Sequence, residues 1–278
     1  MRVALIQMTG SDDPSDNLSV ATTLLHEAAA DGARFVLTPE VTNCISTSRT
    51  HQRSVLKSES EDPTLVALAR TAKELDVWLL IGSLALKSED DDRFVNRSFL
   101  ISPDGEIAAR YDKMHMFDVT LSDTETYRES DGYRPGDRAV VSHVDGTLVG
   151  LTICYDLRFP YLYRDLAHAG ASIVTVPSAF SPDTGPAHWE PLLRARAIET
   201  GSFVLAPAQT GTHGASRGRA RSTWGHSLIV DPWGRVIADG GAEPCVIHAD
   251  LDLSMVEDVR KRLPSLTHDR RYDVVRHG

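Results

Sequence analysis

The strongest constraint on this chain is a succession of short apolar runs from one end to the other. They read "RVALIQM", "RFVLTP", "VWLLIGSLAL", "FVNRSFLIS", "LVGLTIC", "SIVTVPSAF", "SFVLAPAQ", "HSLIV" and "CVIHADLDL". All are rich in Val, Ile and Phe and short enough for strands. Between several of them the apolar spacing becomes helical. In Asp62 to Leu75 the residues Leu65, Leu68, Ala69, Ala72 and Leu75 share one helical face, with Asp62 as N-cap and Pro63 in the first turn. Leu18 to Ala30 reads as a second helix, closed near Gly32. Tyr161 to Ala169 ends at Gly170, and His188 to Thr200 ends at Gly201, as helices often do.

Two stretches depart from this rhythm. "FLISPDGEIAARYDK" and "SLIVDPWGRVIADGG" each set a Pro and Gly turn between alternating segments, which predicts a hairpin. One falls in each half, a hint of an internal pseudo-repeat. "KSEDDDR" (Lys87 to Arg93) lies between strands and reads as a solvated hairpin tip. No Gly/Ser-rich or Pro-rich linker interrupts the chain. The expectation is an α/β protein with a mixed sheet system in a single domain over residues 1–278, a length that buries a sizeable core.

Composition removes several function classes. No run approaches the roughly 20 apolar residues of a membrane-spanning helix, and "MRVALIQM" has no signal-peptide pattern, so no membrane partner and a cytoplasmic location are expected. The net charge of −10, from 29 basic and 39 acidic residues, argues against a nucleic-acid groove. Cys44, Cys154 and Cys245 are odd in number and widely spaced, and they read as reduced thiols.

Three reactive side chains share a local setting. Glu40 follows "RFVLTP", Lys113 lies in "RYDKMHMFD" after a predicted hairpin strand, and Cys154 follows "LVGLTI", a pattern that suits a buried strand up to Ile153. Strand ends are where α/β folds present side chains to ligands, so a carboxylate, an ammonium and a thiol could meet at one point. Such a trio could hydrolyse an amide or nitrile. The carboxylate takes the thiol proton during attack, and the ammonium and a backbone N–H stabilise the oxyanion. Burial would raise the Glu40 pKa and the lysine would lower it. Each residue also has a plain structural reading: a buried core thiol, a loop or cap glutamate, a surface lysine. Spacing does not choose between the two.

The wording of the blocks does. "LTPEVTNC", "YDKMHMFD" and "GLTICYDLRFP" resemble the three signature blocks of the nitrilase, or carbon–nitrogen hydrolase, superfamily. The resemblance runs over nearly the whole chain. "VPSAFSPDTGPAHWEPLLRARAIETGSFVLAPAQTG" and "TWGHSLIVDPWG" are similar to its Nit branch in particular. It implies a four-layer αββα sandwich, and a catalytic triad at Glu40, Lys113 and Cys154. In "YRESDGYRPGD" it also implies a second glutamate at Glu129, with Glu125 the less well matched alternative. It implies no cofactor and no metal. Pairing into homodimers or higher oligomers is expected, with Tyr161 to Asp165 and His188 to Thr200 as interface helices. The expected substrate is a small anionic amide. The blocks look more like the Nit-branch activity that cleaves deaminated glutathione to 2-oxoglutarate and cysteinylglycine than the ω-amidase activity on 2-oxoglutaramate or 2-oxosuccinamate. A non-catalytic binding protein on the same fold is the alternative from another class.

In an acidic protein, an anionic substrate requires local positive groups. Arg158 is the expected carboxylate partner, unless it pairs with Asp156; Thr184 and His188 are expected in the pocket, and the Tyr155 N–H as an oxyanion donor. Tyr161 stands where the family commonly has a glutamate. The histidines, among them His115, His143, His188, His213 and His226, show no metal-ligand spacing. "TGTHGASRGRARS" (Thr210 to Ser222) lacks the ending of a phosphate loop and reads as a mobile surface loop. Its Arg217, Arg219 and Arg221 are candidates for the pocket mouth.

Overall fold

In the computed structural model, which describes residues 1–122 and 125–277 (backbone alone at 121, 122 and 125), the first half runs β1 (Arg2–Gln7), α1 (Pro14–Ala30), β2 (Phe35–Leu37), α2 (Arg49–Val55), α3 (Pro63–Leu75), β3 (Trp78–Lys87), β4 (Phe94–Ile101) and β5 (Ile107–Asp112). A small hairpin of β6 (Asp118–Ser122) and β7 (Glu125–Arg128) follows. The second half runs β8 (Val140–Val144), β9 (Thr147–Leu151), α4 (Pro160–His168), β10 (Ile173–Thr175), α5 (Gly185–Thr200) and β11 (Phe203–Ala206). Then come β12 (Thr210–His213), β13 (Arg221–Trp224), β14 (Leu228–Val230), β15 (Val236–Asp239), β16 (Cys245–Asp250) and α6 (Ser254–Arg262).

The strands form two six-stranded sheets, ordered β16-β1-β2-β3-β4-β5 and β15-β14-β11-β10-β9-β8. In the first, β1, β2 and β3 are parallel and β4 and β5 return antiparallel. In the second, β9, β10 and β11 are parallel and β14 and β15 return antiparallel. Each sheet gains one antiparallel edge strand, β16 beside β1 and β8 beside β9. The pseudo-repeat hinted at by two hairpins is thus present in the strand order of both halves.

Two-residue alternation along β1 sets the layers. Val3 and Leu5 share one hydrophobic cluster with Leu151, Ile173 and Leu205 of the second sheet. Ala4 and Ile6 share another with Leu25 of α1 and Leu68 of α3. On the far side of the second sheet, Leu162 and Leu166 of α4 and Trp189 and Leu193 of α5 complete the fourth layer. The architecture is therefore the αββα sandwich that the resemblance implied. Among the described residues no helix is long and apolar enough to cross a membrane.

Local signals fixed several boundaries. Asp62 Oδ1 accepts the Leu65 N–H at 2.9 Å and Pro63 opens α3. We expect Asp62→Ala to cost about 1 kcal/mol of stability, and Asp62→Asn much less, in urea denaturation. The same Asp–Pro signature at Asp13 and Pro14 starts α1 four residues before the apolar pattern suggested, with Asp13 accepting from Ser15 N. Helix α5 starts at Gly185 rather than His188 and tolerates Pro191 inside it, closing on Gly201 at φ 58°.

Two expectations need correction. Strand β9 ends at Leu151, because from Cys154 the chain coils into a 3-10 turn through Arg158. The 210–222 segment belongs to a hairpin of β12 and β13 that runs on to Trp224, and the tip of that hairpin is anchored. Ser216 N donates to Asp12 Oδ2 at 2.7 Å, and Thr47 Oγ1 donates to Arg219 O at 2.9 Å. One glycine brings the layers together near the strand ends: a Cβ on Gly82 would lie 2.0 Å from Thr38 O and 2.6 Å from the Pro177 side chain.

Candidate active site

Glu40 and Lys113 leave the first sheet just past β2 and β5, and Cys154 leaves the second just past β9. All three are buried, with 4%, 2% and 7% of their surfaces exposed, yet all line one cavity of about 330 Å³. Glu129 reaches it from the short 3-10 turn after β7.

Lys113 is the hub. Its Nζ donates to Glu40 Oε1 at 2.9 Å and to Glu129 Oε1 and Oε2 at 3.0 and 2.9 Å. Glu129 Oε2 also accepts the Phe117 N–H at 2.6 Å. Glu40 takes two further bonds, from Asn96 Nδ2 at 2.9 Å on Oε1 and from Ala179 N at 2.8 Å on Oε2. Burial pushes the Glu40 carboxyl up. The charge and hydrogen bond of Lys113, with Arg221 nearby, outweigh burial and hold it below its ordinary value of 4.5. Burial works against the Lys113 charge too, but Glu129 and Glu40 overcome it and raise its pKa well above 10.5. The contest left open by the sequence goes to the ion pair.

Burial and the Glu40 charge push the Cys154 thiol up to about 12, against the opposing pull of Lys113. At neutral pH the sulfur is therefore a thiol beside an ionised carboxylate, so it reacts only if its proton leaves during attack. Cys154 sits at φ 48°, in the left-handed region that side chains other than glycine seldom adopt. Its own N–H donates to Pro177 O at 3.0 Å. The Tyr155 N–H, one step into the 3-10 turn, has no partner among the described residues.

Asp156 secures that turn. Wholly buried, it accepts from Ile153 N at 2.8 Å, Tyr111 Oη at 2.7 Å and His115 N at 3.1 Å, and it meets His115 Nδ1 at 2.6 Å. These bonds tie the turn that carries Cys154 to the segment that carries Lys113. They also leave no place for Arg158 at Asp156.

The remaining expected residues fall in two groups. Tyr155 and Thr184 line the cavity, as do Arg219 and Arg221. Arg158 and His188 are not among the lining residues. Arg158 Nη1 lies 3.2 Å from His188 Nδ1, and its guanidinium stacks 5.5 Å from the Phe180 ring centre, behind that cavity wall. The side chain of Glu125 lies outside the described residues. Tyr161 meets His115 Nε2 through its hydroxyl at 2.6 Å, and its ring is exposed.

Sequence reasoning missed Asn96 and Arg49, both in the lining. Asn96 was detectable as a polar residue inside the apolar run "FVNRSFLIS". Arg49 lies in the seven-residue α2, too short to show a periodic face.

A model of the carbon–nitrogen hydrolase family matches residues 2–261. The chain is 37% identical to the deaminated glutathione amidase of Yersinia enterocolitica over 270 residues, 96% of this chain and 92% of that protein. It is 36% identical to omega-amidase NIT2-B of Xenopus laevis over 263 residues, 95% and 92% of the two chains. Among solved structures, Saccharomyces cerevisiae Nit3, a member of branch 10 of the nitrilase superfamily, superposes with a TM-score of 0.85 at 30% identity, covering 98% of this chain and 97% of that one.

Proposed function

This chain belongs to the carbon–nitrogen hydrolase family, and we propose that it hydrolyses deaminated glutathione to 2-oxoglutarate and cysteinylglycine with Cys154 as nucleophile. Hydrolysis of non-peptide carbon–nitrogen bonds is the chemistry of its family. The observation that carries the assignment of roles is Lys113 Nζ bridging Glu40 and Glu129 in the cavity that holds the thiol.

The substrate carbonyl enters above Cys154. As sulfur attacks, Glu40, already ionised and so able to accept a proton, takes the one from the thiol. The oxyanion forms against Lys113 and the Tyr155 N–H. Glu40 returns the proton to the departing amine as the C–N bond breaks, leaving a thioester. Water then enters, Glu40 removes its proton, and the acid leaves as the thiol is restored. Glu129 holds Lys113 charged and aimed. Thr184 contributes to the substrate wall, and Arg158 and His188 support that wall from behind Phe180.

Mixing with substrate and quenching within a turnover is expected to add the mass of one acyl group, confined by peptide mapping to Cys154. An adduct on Cys44 or Cys245 would move the site. The ω-amidase reading has its own support in the near-equal identity to the Xenopus protein. Rates on deaminated glutathione and 2-oxoglutaramate decide between them, and a higher kcat/KM on the latter reverses the order. Pairing of two copies through α4 and α5, in the cytoplasm, completes this reading; Tyr161 on α4 and Ile198 on α5 are more than half exposed.

A further inference from the structure

Several arginines line the cavity, and two of them, Arg49 and Arg221, are half-buried there, with Arg221 near enough to Glu40 to help lower its pKa. Elsewhere Arg97 lies 2.6 Å from both Glu59 and Asp112 and Arg196 lies 2.7 Å from Glu199, whereas Arg260 donates to the Thr200 and Ala171 carbonyls. Among the described residues, Arg49 and Arg221 have no such ion pair.

Neutral groups fix both instead. Arg49 Nη1 donates to Gln52 Oε1 at 3.0 Å, and Gln52 Nε2 in turn donates to Tyr133 Oη at 2.9 Å. The guanidinium lies 4.9 Å over the Tyr133 ring. It also crosses Gly132 so closely that a Cβ there would come within 2.2 Å of Arg49 Cζ. From a different element, Arg221 Nη2 donates at 2.7 Å to the carbonyl of Ala179, the residue whose N–H holds Glu40. A guanidinium stays charged and carries five N–H donors. Each of these two is oriented at the cavity wall, and among the described residues most of its donors are unspent.

We propose that Arg49 and Arg221 form a two-point anion clamp, so that the preferred amides carry one carboxylate on each side of the scissile bond. The clamp rests on the amidase reading of the same cavity and deepens it: deaminated glutathione has a carboxylate on both sides, whereas 2-oxoglutaramate has one. It also moves carboxylate recognition away from Arg158, which faces His188 and aromatic rings.

The test is binding, which does not require turnover. Calorimetry compares linear dicarboxylates, from succinate to suberate, with their monomethyl esters on the wild type, Arg49→Gln, Arg221→Gln and Arg49→Lys. At least one dicarboxylate is expected to bind the wild type about tenfold more tightly than its ester, as for one charge-assisted contact. That dicarboxylate slows alkylation of Cys154 by iodoacetamide. Either glutamine variant abolishes the preference, and Arg49→Lys, which keeps the charge, retains part of it. The clamp is overturned if no dicarboxylate outbinds its ester, if the preferred one leaves alkylation unchanged, or if a glutamine variant that melts like wild type keeps the preference. Failure to hydrolyse either amide would instead count against the proposed function.

Discussion

Cys154→Ala is expected to lower kcat for amide hydrolysis by about 10⁴-fold or more, the scale of removing a covalent nucleophile. Folding should be nearly untouched. Alanine keeps the Cβ, so the left-handed backbone at φ 48° is neither relieved nor further strained. The lost sulfur leaves a small void that opens on the cavity, at a cost of about 1 kcal/mol. The thiol is held near 12 by burial and Glu40, so activity also depends on Glu40 receiving its proton. Glu40→Gln should therefore approach the alanine variant in rate while showing three free thiols on titration of the unfolded chain, against two in the alanine variant. Steady-state rates with urea denaturation on the same preparations check both parts. An alanine variant that kept more than about one hundredth of wild-type kcat would remove Cys154 as the nucleophile.

What could be read in advance followed periodicity and punctuation. The apolar runs became strands, Asp62 and Pro63 opened a helix, and both Pro/Gly turns became hairpins, because each signal is satisfied within a few residues. Physical reading stopped where partners lie far apart in sequence. Glu40 and Lys113 are 73 positions apart, and nothing local says that they touch. Their meeting depends on β2 and β5 sharing a sheet and on Gly82 letting the layers close together. Only the resemblance of three blocks joined them beforehand. Arg158 shows the opposite failure. Its closeness to Cys154 in sequence suggested a substrate contact, but the 3-10 turn rotates it behind Phe180. Arg49, more than a hundred residues from the thiol, lines the cavity instead. Likewise, the backbone at Cys154 adopts a conformation that no residue type announces except glycine.

Lys113→Met should injure both stability and rate, and the way the two depend on pH separates its roles. Removing the ammonium leaves Glu40 and Glu129 facing each other across a buried gap, with the Asn96 amide and the Ala179 and Phe117 N–H groups as their remaining donors. Breaking a buried pair in this way costs about 3–5 kcal/mol. In the wild type, Glu40 is held below 4.5, so its contribution is present above that value and lost as pH falls through the folded pKa. Lys113 is raised above 10.5, so its contribution is present below that value and lost as pH rises through the folded pKa. In the methionine variant burial, the largest influence on Glu40, is joined by the Glu129 charge and opposed by Arg221 and the hydrogen bonds from Asn96 and Ala179. Its pKa therefore rises and the sign is expected to reverse: deprotonation now destabilises the fold. Urea denaturation should thus show a large deficit at pH 8 that narrows toward pH 5. Acid can restore the fold in this way, but it cannot restore the oxyanion partner. A further loss in kcat of about 10²–10³-fold should persist at every pH where the variant is folded. A deficit of equal size at both pH values would mean that Lys113 contributes packing rather than charge, and full activity in the folded variant would leave the oxyanion to the Tyr155 N–H alone.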